Sequence, residues 1–159
     1  LVPRHLERFQ RVKGILQESQ IPFVSRSMRE DVSEDTKILL GDTIGELNFL
    51  YSLADVAFIG GSLIDHGGQN LLEPSAQSLA LLSGPSLRNF SDISEQLIQN
   101  NALAVVHDAE ELCNHFLLLI KDESACNATG LEAYKVFMKN RGALDAILNK
   151  LKPLISNII

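Results

Sequence analysis

Several things are scarce in this 159-residue chain, and each absence excludes a class of protein. There are two cysteines, Cys113 and Cys126. They are too few for a disulfide framework and lack the spacing of a zinc site. Cys113 lies in an apolar helical run, where a small core residue is expected. No apolar run approaches the ~20 residues that span a bilayer, and no leader pattern precedes the first helix. Basic residues are outnumbered, 14 Lys and Arg against 20 Asp and Glu, for a formal net charge of -6. That balance argues against a general nucleic-acid surface. Internal repeats and low-complexity tracts are missing. What remains is 45% hydrophobic and 21% charged, ordinary for one globular domain with its own core. The chain opens on Leu1-Val2-Pro3-Arg4 without an initiator Met, which suggests a piece of a longer protein; the same four residues also match a common protease-tag sequence.

The most informative stretch runs from Ile59 to Pro74, Ile-Gly-Gly-Ser-Leu-Ile-Asp-His-Gly-Gly-Gln-Asn-Leu-Leu-Glu-Pro. Val56 to Ile59 reads as a buried strand ending in Gly60-Gly61, and a second glycine pair precedes a helix expected from Gln69 or Asn70. Strand, glycine-rich loop and helix start form an arrangement suited to an anion. Glycine lets the backbone approach a ligand, and helix-start amides point toward it. Asn70 is placed to cap the helix or reach the ligand. Glu73, one turn on, suits the vicinal diol of a ribose. The plainer reading is a helix capped by Asn70 with a favourable acid in its first turn.

Elsewhere the pattern alternates. Helices are expected over 5–20, 44–53, 90–100, 109–120 and 123–139, and strands over 21–25, 37–40, 79–82 and 102–106. Leu131, Tyr134 and Met138 form the expected inner stripe of the 123–139 helix, and Ile93, Leu97 and Ile98 that of the 90–100 helix. A final apolar face runs from Leu144 to Ile158 with a kink expected at Pro153. Short apolar strands alternating with amphipathic helices predict an α/β fold, a Rossmann-like parallel sheet sandwiched by helices. In such folds ligands bind at the carboxyl edge of the sheet. Three loops are expected there: Pro3-Arg4-His5, Gly41-Asp42-Thr43 and Gly60 to Asn70.

Those loops carry a resemblance. Pro3-Arg4-His5-Leu6-Glu7-Arg8-Phe9 resembles a Pro-Arg-His-Pro-Glu-Arg-Phe element, and Gly41-Asp42-Thr43-Ile44-Gly45-Glu46-Leu47 resembles Gly-Asp-Thr-Met-Gly-Glu-Leu. Gly60-Gly61-Ser62-Leu63, followed by Gly67-Gly68-Gln69-Asn70-Leu71-Leu72-Glu73-Pro74, resembles Gly-Gly-Ser-Leu followed by Gly-Gly-His-Asn-x-Leu-Glu-Pro. Gly84-Pro85 with Asn89-Phe90, and Arg141-Gly142-Ala143-Leu144, fit the same set. The family so resembled is the 3-deoxy-D-manno-octulosonate (Kdo) transferases of lipopolysaccharide synthesis. The likeness runs in order through nearly the whole chain.

The resemblance implies one half of a GT-B fold, with residues 1–159 as the C-terminal donor-binding domain and the N-terminal acceptor domain absent. It implies CMP-Kdo as donor, a lipid A precursor as acceptor, no metal or other cofactor, and a full-length enzyme at the cytoplasmic face of the bacterial inner membrane. Any Asp-x-Asp or His/Cys cluster is missing from the sequence, in keeping with that. Carried over by position, Pro3 and Arg4 contact CMP, Ile44, Gly45 and Glu46 border the nucleotide, and Asn70, Leu71, Leu72 and Glu73 hold phosphate and ribose. The catalytic base is expected on the absent domain, so the chain alone should transfer nothing. Leu6, Ile44 and Gln69 depart from the family's Pro, Met and His; Gln69 removes a titratable group beside the phosphate. Asp65 and His66 match no fixed family position and read as loop residues. Two other readings remain: the donor domain of a GT-B enzyme using a UDP-sugar, and a non-catalytic nucleotide-binding module.

Overall fold

The structure is a computed structural model that describes residues 1–142 and residue 151. The expected apolar face from Leu144 to Ile158 lies, but for Leu151, outside the described residues. The chain forms two compact units, Leu1–Leu53 and Ala54–Ile159. Each holds a parallel sheet, as the alternation of strands and helices predicts, so the hydrogen-bonded strands are divided between two sheets.

In the first unit, helix α1 (Leu6–Glu18) precedes strand β1 (Phe23–Ser25), strand β2 (Ile38–Leu40) and the short helix α2 (Leu47–Tyr51). Strands β1 and β2 are parallel, pairing Phe23 with Ile38 through Ser25 with Leu40. Leu1 extends the same pattern: its amine donates to the Leu39 carbonyl at 2.9 Å, and its carbonyl accepts from Gly41 N–H at 2.9 Å. Bonds from one residue to the two flanking a facing residue are those of a parallel ladder. Pro3-Arg4, the turn after β1 and the loop after β2 therefore leave the same edge. Helix α2 begins at Leu47, later than the expected Ile44, because Gly45 takes a left-handed φ of 84°.

In the second unit the order is β3 (Val56–Ile59), α3 (Leu72–Ser75), β4 (Ala80–Ser83), α4 (Ser91–Gln99), β5 (Leu103–Val105), α5 (Ala109–Lys121) and α6 (Glu123–Asn140). The parallel sheet runs β3-β4-β5. Every residue of the central β4 is buried, as a parallel strand covered on both faces must be. Asp108 and Asp122 cap α5 and α6 by accepting from the amides of Glu111 and Ala125.

Three sequence expectations fail here. The inner face of α6 is Cys126, Gly130, Ala133 and Val136, while Leu131 and Met138 are exposed. This helix lies so close to the chain entering β4 that a Cβ on Gly130 would fall 1.9 Å from the Ser78 carbonyl oxygen. Only small residues fit that face. Ile98 is likewise exposed, leaving Leu97 as the buried anchor of α4. Cys113 is exposed and Cys126 is the buried thiol, its pKa pushed up by burial and then by the nearby Asp55 and Glu123 carboxylates.

Gly130→Ala should destabilise the chain. Forcing a methyl into a packed contact costs about 1–3 kcal/mol, outweighing the ~1 kcal/mol of added helix propensity. Urea unfolding should show this, while Leu131→Ala on the exposed face should change stability by no more than about 0.5 kcal/mol.

Candidate functional site

The sequence-predicted residues fall on both units. In the second, the loop after β3 is stitched to the loop after β4. Ser62 is fully buried; its hydroxyl donates to the Ile59 carbonyl and accepts from Gly84 N–H at 2.7 Å. Ser86 N–H donates to the Ser62 carbonyl at 2.9 Å, and the Ser86 hydroxyl accepts from Gly67 N–H at 2.9 Å. A Cβ on Gly84 would lie 2.3 Å from the Ser62 carbonyl oxygen, so the two backbones touch only because this position is glycine. Asp65 pairs with Arg88 on the exposed rim of the loop. Asp65 and His66 are thus loop residues, Asp65 tied across to the next loop.

This stitching corrects the expected anion cradle. Gly67 N–H goes to Ser86, and Gly68 N–H to the Gly61 carbonyl at 3.3 Å, so neither glycine amide is left for a ligand. Helix α3 starts at Leu72 and spans four residues, too short to sum an appreciable dipole. What the loop does present is a polar pair. Asn70 accepts from Leu72 N–H at 3.0 Å through its side-chain oxygen, and its amide nitrogen donates to the Glu73 carboxylate at 2.9 Å. Both side chains are half-buried. Asn70 stands one residue before the helix's cap position, Leu71, so its side chain closes the turn into α3 rather than capping the helix, and its amide holds Glu73. Leu72 is half-buried, whereas Leu71 is fully buried, so the expected ligand contact at Leu71 has no exposed surface to make it.

In the first unit, Pro3 is half-buried and Arg4 exposed, at the carboxyl edge beside β2. Ile44 is 72% exposed, and Gly45 is exposed next to it. Glu46 is engaged: Arg26 Nε donates to its Oε2 at 3.1 Å, Arg26 Nη2 to its Oε1 at 2.8 Å, and the Thr43 hydroxyl to its Oε2. The Arg26 guanidinium also lies 5.8 Å from the Phe49 ring centre, a cation–π contact. A second clasp lies alongside, Ser27 N–H and hydroxyl donating to the Asp42 carboxylate at 2.8 and 2.6 Å. Around these residues is an open cleft of about 770 Å³ lined in part by Arg26, Arg29, Glu30, Ile44 and Glu46.

The sequence singled out Glu46 and passed over Arg26, its partner. The usable signal was position: Arg26 is the first residue past β1, at the edge where β2 delivers Thr43 and Glu46. Among the described residues, three or more His, Cys, Asp or Glu side chains nowhere gather as a metal-binding group.

Parallel strands whose carboxyl ends lead into glycine-bearing loops, with helices packed around them, make this an α/β domain of the type that forms half of a GT-B glycosyltransferase. Comparison with solved structures gives a match, at a TM-score of 0.81 and 34% identity, to the crystal structure of the C-terminal CMP-Kdo binding domain of WaaA from Acinetobacter baumannii; it covers 85% of this chain and 72% of that one. The chain is also 39% identical over 156 residues to 3-deoxy-D-manno-octulosonic acid transferase of Haemophilus influenzae, and 33% identical over 153 residues to that of Bordetella pertussis. These alignments take in 98% and 96% of this chain, and the chain spans about a third of each relative's length, 36% in both. No family model matches. The chain belongs to the Kdo transferase family of glycosyltransferases. Among the described residues no helix is long and apolar enough to cross a membrane.

Two outcomes follow. Ser62→Ala strips the buried Gly84 N–H of its acceptor, so it should cost about 1–3 kcal/mol in denaturant unfolding. The Glu46 carboxyl is held below its ordinary range, first by the Arg26 hydrogen bonds and then by Thr43. A lowered acid stabilises the fold above the unfolded-state value of about 4.3 and loses that contribution as pH falls through the folded value. Acid unfolding between pH 7 and pH 3 should therefore be steeper in the parent than in Glu46→Gln.

Proposed function

We propose that this chain binds CMP-Kdo as the donor domain of an enzyme transferring Kdo to a lipid A precursor. The observation that carries the reading is the Asn70–Glu73 pair, held at 2.9 Å at the carboxyl edge of a parallel sheet in a chain of this family. Glu73 accepts from the ribose hydroxyls, and the backbone at Asn70 meets the phosphate. Pro3, Arg4 and the Ile44–Glu46 loop take the rest of the nucleotide. Arg4 supplies a planar cationic fork for the phosphate or the Kdo carboxylate.

In the reaction an acceptor hydroxyl attacks the anomeric carbon of Kdo. The bond from that carbon to the phosphate oxygen breaks, and CMP leaves as a phosphate monoester. The hydroxyl proton passes to a base on the N-terminal domain. Charge developing on the leaving phosphate is met by fixed donors, Arg4 among them, rather than by a metal. The whole enzyme works at the cytoplasmic face of the inner membrane, where the lipid acceptor is found.

Calorimetry tests the reading. CMP should bind the chain, UDP should bind more weakly, and EDTA should leave the CMP titration unchanged. Asn70→Ala and Glu73→Ala should each weaken CMP roughly tenfold, the scale of one lost charge-assisted hydrogen bond. The chain by itself should show no Kdo transfer. Tighter binding of UDP than of CMP would instead favour a UDP-sugar enzyme, and no nucleotide binding at all would defeat the reading.

A further inference from the structure

We infer that Arg26 is a positioning residue for the nucleotide, acting through Glu46 to hold the Ile44–Gly45 turn in its binding shape. The inference rests on the CMP-binding reading and adds a determinant that the sequence motifs do not contain. It reassigns Glu46 from ligand contact to strut. Both carboxylate oxygens of Glu46 are occupied, Oε1 by Arg26 Nη2 and Oε2 by Arg26 Nε and the Thr43 hydroxyl. A carboxylate so employed has little capacity left for a ribose.

Its partners instead bracket the turn. Thr43 and Glu46 stand on either side of Ile44 and Gly45, and their side chains are joined to each other. Between them Gly45 sits at φ 84°, and Ile44 projects into solvent. Left alone, a turn with an exposed glycine samples many conformations, and a ligand would have to select one of them. Arg26 supplies the restraint from the turn just past the neighbouring strand. Its fork is bidentate, a geometry that lysine cannot copy. The Phe49 ring fixes the guanidinium from another side, and the Ser27–Asp42 clasp ties the same two loops a second time. The cleft lined by Arg26, Thr43, Ile44 and Glu46 is the space this restraint keeps open.

The test is calorimetry of CMP with the parent chain, Arg26→Gln, Glu46→Gln, the double variant and Arg26→Lys, each first shown folded by its thermal transition. Arg26→Gln and Glu46→Gln should each weaken CMP roughly tenfold, and the double variant no further, since one strut is removed in either case. Arg26→Lys, which keeps charge but loses the fork, should fall between. In the parent, CMP should shift the backbone amide resonances of Ile44 and Gly45; in the two glutamine variants those shifts should shrink. Variants that melt earlier yet keep the parent's CMP affinity would overturn the inference and leave Arg26 a purely stabilising residue. Separate additive losses would overturn it too. If the parent binds CMP and Asn70→Ala weakens it while the Arg26 and Glu46 variants do not, this inference fails alone. If the parent binds no CMP, the donor-site reading fails and this falls with it.

Discussion

Parallel strand pairing is the constraint on which everything else depends. In a parallel ladder every strand ends on the same edge, so the loops that follow successive strands are delivered side by side whatever their separation in sequence. That is why Arg26, just past β1, meets Glu46, just past β2, and why Ser62 after β3 meets Gly84 after β4. Helices or long loops between the strands do no more than return the chain to the starting edge. The chemistry of both units is then settled by a few residues immediately beyond each strand's last hydrogen bond.

Much of this was legible in the sequence because strands and helices carry their own periods. Val56–Ile59 stands where four consecutive apolar residues put it, and α5 and α6 each begin after an aspartate that caps them. The helices that follow β2 and β3 were misjudged. Those expected over Ile44 to Leu53 and from Gln69 or Asn70 onward reduce to five and four residues. At both places the chain spends its first residues on side-chain bonds, Thr43 to Glu46 and Asn70 to Glu73, before the backbone begins to coil. Such local bonds compete with helical ones, and periodicity does not register them.

The face of α6 was opaque for a different reason. Hydrophobic patterning assigns the inside to the largest apolar residues. Where two backbones come as close as Gly130 and Ser78, volume decides, and the small residues win. The partner of Glu46 was invisible in turn because an ion pair between residues 20 apart leaves no local trace. Only the topology, a parallel pairing of the two preceding strands, brings them into register. The motif that resembles Gly-Asp-Thr-Met-Gly-Glu-Leu thus shows one half of a device whose other half lies outside it.

The two thiols differ in more than position. Cys126 is packed on the inner face of α6, with its sulfur 3.6 Å from the Asp55 carbonyl oxygen, while Cys113 stands in solvent on α5. Thiol reagents act on the thiolate, and burial both shields Cys126 and pushes its pKa up. Brief exposure to a maleimide near neutral pH therefore marks α5 and spares α6, giving a single fluorophore or spin-label attachment point without engineering.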